Sequence, residues 1–64
     1  MNRLFKFSVY ADSEAEAVEQ LHMLHVQQKK FHAVWRKDRL LVTITNPTEF
    51  ETLHTRMLYG GSLV

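Results

Sequence analysis

The sequence has no cysteine, one proline and two glycines among its 64 residues. No disulfide can staple the fold, and no thiolate can hold zinc or act as a nucleophile. The scarcity of Gly and Pro excludes collagen-like and low-complexity chains. Long apolar runs are missing too: none exceeds the three residues of Leu40-Leu41-Val42, far short of a membrane-spanning helix. Met1-Asn2-Arg3-Leu4 carries one basic residue and no apolar stretch behind it, so we expect no signal peptide and a cytoplasmic setting. Excess charge of either sign is also lacking. A net charge of +1 excludes a histone-like polycation and an acidic nucleic-acid mimic.

What is present is a hydrophobic fraction of 45%, enough for a folded chain rather than a disordered one. The length allows one domain, residues 1–64. A chain this short buries only about 60% of its unfolded surface. Without disulfides or a metal it must rely on an efficient core or on a partner.

Hydrophobic periodicity gives the element order. Phe5, Phe7 and Val9 alternate with Leu4, Lys6, Ser8 and Tyr10, which predicts a half-buried strand over residues 3–10. Ser13 and Glu16 have capping-box spacing. The helix that follows has Ala17, Val18, Leu21, Leu24 and His25 on one face and is expected to end near Gln27 or Gln28. Phe31, Ala33 and Trp35 alternate with His32, Val34 and Arg36, and Leu40, Val42 and Ile44 alternate with Leu41, Thr43 and Thr45. These are two strands joined by a tight turn at Arg36-Lys37-Asp38-Arg39. A second helix is expected with Asn46 as N-cap, Pro47 at its first position and Glu49 as box partner. Phe50, Leu53, His54, Met57 and Leu58 have the spacing of its core face, and Gly60-Gly61 stops it.

Strand, helix, strand, strand, helix is an α+β pattern (β-α-β-β-α). A right-handed crossover leaves room for the third strand between the first two. The expectation is a three-stranded mixed or antiparallel sheet of order 1-3-2, with both helices on one face and residues 40–45 in the centre. This order resembles a truncated ferredoxin-like fold that lacks its last strand. Small modules of the DNA-damage-inducible DinI type share the layout. The resemblance is one of topology and transfers no functional residue. It implies that strand 3–10 is an open edge, partly covered by Leu63-Val64 or else open to a second copy or partner chain.

No chemical signature stands out. His22 and His25, three apart on the first helix, form a minimal metal pair that His32 or His54 would have to complete. No carboxylate-plus-His spacing of a zinc motif accompanies them, and no metal or cofactor is expected. Ser8, Ser13 and Ser62 sit in no nucleophile elbow, and no catalytic residue is assigned.

Charge distribution is more informative than composition. Residues 1–28 sum to −2, residues 29–39 to +4 and residues 40–64 to −1. The basic block holds Lys29, Lys30, Arg36, Lys37 and Arg39. With both helices on one side of the sheet, Leu4, Tyr10, Val34 and Leu41 would share the other side with Lys6 and Arg36. Exposed apolar groups rimmed by cations fit a protein-contact surface. Met23 and Val26 fall off the core face of the first helix. The stretch from Val9 to Ala17 resembles the strand-to-helix junction of small phage-encoded proteins, among them inhibitors of host RNA polymerase. That resemblance implies a phage or mobile-element accessory protein that binds and inhibits or modulates a host protein.

The sequence thus points to a small non-enzymatic protein-binding module. Its expected contact residues are Lys6, Tyr10, Arg36, Lys37 and Arg39, and its expected partner is a larger protein with an acidic surface. Two further partners follow from the same features: a second copy docked along strand 3–10, and nucleic acid bound by the 29–39 region.

Overall fold

A computed structural model of the chain describes residues 3–24 and 30–64. The elements are β1 (Leu4–Tyr10), α1 (Glu14–Leu21), β2 (Phe31–Arg36), β3 (Arg39–Thr45), α2 (Glu49–Tyr59) and β4 (Ser62–Leu63). They build an α+β domain around one sheet of order β2-β3-β1-β4. All three strand pairings are antiparallel, so the sheet is not mixed.

The inner face of the sheet supplies most of the core. Phe5, Phe7 and Val9 of β1 and Leu40, Val42 and Ile44 of β3 are buried, and Ala17, Leu21 and Leu24 cover them from the α1 side. Phe31 and Trp35 of β2 and Tyr59 of α2 pack against the margin of this cluster. As the hydrophobic pattern predicts, β3 is central, flanked by β2 and β1.

The sheet has four strands rather than three. β4 pairs antiparallel to β1, with Phe5 opposite Leu63 and Lys6 opposite Ser62, and the Val64 N–H donates to the Leu4 carbonyl at 2.8 Å. Strand 3–10 is therefore an edge covered in part by the Leu63-Val64 tail, the first of the two alternatives expected from the sequence, and the tail pairs only with its first half. The return depends on glycine. Gly60 and Gly61 have φ of 80° and 98°, and a Cβ on Gly61 would lie 2.7 Å from the Lys6 carbonyl oxygen and 2.8 Å from Phe7 Cβ. Two residues are too few for hydrophobic alternation to register as a strand.

The helix ends also differ. Ser13 caps α1 as expected, its Oγ accepting from the Glu16 N–H at 3.2 Å, but the Glu16 carboxylate reaches the Asp12 N–H rather than that of Ser13. α1 stops at Leu21, short of the predicted Gln27 or Gln28. The N–H groups of His22, Met23 and Leu24 donate to carbonyls three residues back. This tightening aligns residues i and i+3, which keeps Leu24 above Leu21 in the core. Val18, assigned to the core face, is exposed. His25, Val26, Gln27, Gln28 and Lys29 lie outside the described residues.

The cap of α2 is Thr48, not Asn46, and its box partner is Glu51, not Glu49. Asn46 instead adopts φ of 50°, a left-handed conformation that asparagine tolerates. There its N–H donates to the Arg3 carbonyl at 2.7 Å, while its Oδ1 accepts from the Arg3 N–H at 2.9 Å.

The largest departure is the rotation of α2. The predicted core stripe points outward: Phe50, Leu53 and Met57 are 65%, 60% and 77% exposed, and Leu58 is exposed as well. The helix buries Glu51 and Thr55 in their place. Two anchors to groups outside the helix, from Glu51 and Tyr59, set this phase, and a bond within the helix satisfies the buried Thr55 hydroxyl. Glu51 Oε1 accepts from the Thr48 N–H at 2.8 Å and from Lys30 Nζ at 3.1 Å. The Thr55 hydroxyl donates to the Glu51 carbonyl at 2.7 Å. The Tyr59 ring stacks on Phe7 with centroids 5.5 Å apart, and its hydroxyl donates to the Gln20 carbonyl at 3.1 Å. Turning the stripe inward would break the Lys30 pair and the Tyr59 contacts with Phe7 and Gln20.

Candidate protein-binding surfaces

Both helices lie on the core side of the sheet, which leaves the opposite face of β1, β2 and β3 uncovered among the described residues. The strand register orders that face in rows. Lys6, Thr43 and His32 form one row and Ser8, Leu41 and Val34 the next. Tyr10, Arg39 and Arg36 form the third, beside the hairpin. Val34, Leu41 and Tyr10 are exposed. Lys6, Ser8, His32, Val34, Arg36, Leu41 and Thr43 line a shallow depression of about 370 Å³. No acidic side chain lies on the strand positions of this face.

The hairpin places like charges together. Arg36 and Arg39 sit directly opposite each other across β2 and β3, an arrangement that destabilises an antiparallel ladder. Arg39 has partial relief. Its Nε lies 3.2 Å from the Asp38 carboxylate, and its guanidinium stands 4.8 Å from the centre of the Tyr10 ring. Arg36 has no ion-pair partner among the described residues. Lys37, the first residue of the two-residue turn, has φ of 55° while Asp38 is not left-handed, the φ pattern of a type II′ turn, which normally uses Gly there.

Of the predicted contact residues, Lys6, Tyr10, Arg36 and Arg39 therefore share one face, and Lys37 stands at its hairpin end. Lys30 is turned away: its ammonium binds Glu51 and the Asn46 carbonyl. Burial pushes the Glu51 carboxyl up, but the Thr48 N–H and the Lys30 charge outweigh it and hold the group below the usual carboxylate range. Burial raises the Tyr59 hydroxyl. Both groups are occupied in anchoring α2. His22 follows the end of α1, His32 is on β2 and His54 on α2, and no cluster of three metal-ligating side chains occurs among the described residues.

A second surface was hidden in the sequence because its pattern imitates a core. Between α2 and β4 runs an open groove of about 420 Å³ lined by Arg3, Pro47, Glu49, Phe50, Leu53, Arg56 and Leu63, among others. The Phe50 ring stacks on His54 with centroids 5.8 Å apart. The Thr48-x-x-Glu51 spacing is readable in the sequence as the helix cap, but Glu51 is turned inward, and Phe50 and Leu53 out, only by the Lys30 and Tyr59 contacts.

The chain matches no family model, curated protein or solved structure. No described helix is long and apolar enough to cross a membrane.

Proposed function

We propose that this chain is a non-enzymatic module that binds an acidic surface of a larger protein through the open face of its sheet and thereby modulates that protein. The observation that carries this reading is the Arg36–Arg39 juxtaposition beside exposed Tyr10, Leu41 and Val34. The fold bears the cost of a like-charge pair that contributes nothing to its own stability, and an acidic partner would relieve it. Lys6 extends the positive field along the face, and Lys37 extends it past the turn. The βαββαβ order supports a ferredoxin-like scaffold whose closing strand has shrunk to β4. The lack of cysteine supports a cytoplasmic setting. The Val9–Ala17 junction supports a phage or mobile-element accessory protein acting on a host target.

Arg39 over the Tyr10 ring argues against base stacking there. The test is affinity capture from a lysate, comparing the wild type with a Lys6→Glu/Arg36→Glu variant, together with anisotropy titrations against DNA and RNA. The expected result is a specific protein retained by the wild type and bound at least about tenfold more weakly by the variant, with circular dichroism unchanged. Nucleic-acid binding with a steep salt slope, or a partner bound equally by both, would overturn the reading.

A further inference from the structure

The outer stripe of α2 does not belong to the sheet-face site, and its chemistry specifies an occupant. On a helix of about 3.6 residues per turn, Phe50, Leu53 and Met57 form a line opposite Thr55, which is fully buried. With Leu58, Leu63 and Val64 they expose on the order of 600 Å² of largely apolar surface on a chain of 4656 Å² in total. A monomer's largest apolar patch is typically about 300–600 Å². Two such faces would have to be covered completely to reach the lower end of the roughly 1,200–2,000 Å² buried in stable specific complexes, which suits a dimer of micromolar affinity.

Charge identifies the partner. Glu49 and Arg56 lie seven residues apart on the same flank of the stripe, and neither makes an ion pair among the described residues, although the Arg56 guanidinium stands 5.6 Å from the centre of the Phe5 ring. Two turns separate them, with Leu53 near the midpoint. A two-fold axis near Leu53 would set one α2 antiparallel against another and bring each Glu49 to the Arg56 of its neighbour. The same arrangement opposes the two helix dipoles favourably. A parallel arrangement makes neither pairing. The stripe is thus complementary to itself in charge as well as in apolarity, as an isologous interface must be.

We infer that the chain forms a symmetric homodimer through antiparallel packing of α2, with Phe50, Leu53 and Met57 at its centre and Glu49–Arg56 pairs at its rim. This interface lies across the domain from Lys6, Arg36 and Arg39. It stands independently of the proposed function and would leave two basic sheet faces free on one particle.

Sedimentation equilibrium of the full chain over a concentration series tests the inference. The wild type is expected to dimerise in the micromolar range. Leu53→Lys is expected to be monomeric with native circular dichroism. Glu49→Arg and Arg56→Glu should each weaken self-association by about five- to tenfold, since each creates two like-charge contacts. Mixing these two variants should restore dimers near wild-type affinity, because each then supplies the charge its neighbour lacks. Four results would overturn the inference: a wild type monomeric up to several hundred micromolar, self-association that survives Leu53→Lys, unfolding of Leu53→Lys, or charge variants that fail to weaken self-association or to rescue each other.

Discussion

Replacing Gly61 by alanine measures how tightly β4 is seated on β1. Gly61 has φ of 98°, and a Cβ there would meet Lys6 O at 2.7 Å, Phe7 Cβ at 2.8 Å and Phe5 Cε1 at 2.9 Å. Two of these obstacles cannot swing aside: one is a backbone carbonyl, and the other is the Cβ of a buried core residue. The left-handed backbone costs an L-residue about 1–2 kcal/mol, and overpacking adds about 1–3 kcal/mol. Reduced freedom of the unfolded chain returns about 0.4–1 kcal/mol. The expected loss is about 2–4 kcal/mol, against a total stability of roughly 3–10 kcal/mol for a domain this size. Gly60→Ala is the control. Gly60 also has positive φ, at 80°, with ψ of −142°, a region nearly confined to glycine, but a Cβ there meets nothing within 4 Å, so it carries a backbone cost of about 1–3 kcal/mol without any overpacking. Urea titrations followed by circular dichroism give both values. The chain has one escape, which is to unpair β4 and leave the rest folded. Amide exchange at Val64, whose N–H donates to the Leu4 carbonyl, would then quicken with little change in the urea midpoint. A loss below about 1 kcal/mol for Gly61→Ala, with Val64 exchange unchanged, would refute the steric reasoning.

Three further outcomes follow. Lys37→Gly is expected to stabilise the domain by about 0.5–1 kcal/mol, because glycine removes the left-handed penalty and returns part of the gain as chain entropy; a lower urea midpoint would contradict the turn geometry. Glu51→Gln is expected to cost about 1–2 kcal/mol through the weakened capping box and lost Lys30 pair. Because the Glu51 carboxyl in the folded chain lies below its ordinary 4.5, its stabilisation is complete above that value and disappears as pH falls through the folded pKa; a pH series of urea midpoints should show this acid-side slope in the wild type and a reduced one in the variant. Thr55→Lys should abolish the native circular dichroism spectrum, since an unpaired charge would enter the core, whereas Met57→Lys should keep it; the opposite outcome would mean that α2 packs in the other phase.

The two inner strands were legible in the sequence because β1 and β3 each bury a whole face, so period-two alternation in Phe5-Phe7-Val9 and Leu40-Val42-Ile44 has one interpretation, whereas β2 buries none of its residues and Ala33, on its inner side by alternation, is exposed. The hairpin at Arg36–Arg39 and the cap at Ser13 were legible for the same reason: local chemistry and the long-range fold agree there. α2 was not. Its apolar spacing correctly predicts a helix but says nothing about which surface the stripe meets. The rotation is set by Glu51 reaching Lys30 and by Tyr59 reaching Phe7 and Gln20, partners distant in sequence. The basic face was readable as far as membership goes, since alternation placed Lys6, Tyr10 and Arg36 together. The opposition of Arg36 and Arg39 follows only from the two-residue turn.

The rotation of α2 also bears on how such a chain can change over time. The side chains that fold the domain and those that α2 displays are separate sets on the same helix: Glu51 and Tyr59 tie it to Lys30 and Gln20 and Thr55 sits in the core, while Phe50, Leu53 and Met57 stand exposed, with Phe50 stacked on His54 of the same helix. Substitutions in the outer set are shielded from the selection that preserves folding. A lineage built on this scaffold can exchange what it recognises, or whether it self-associates, without passing through unfolded intermediates.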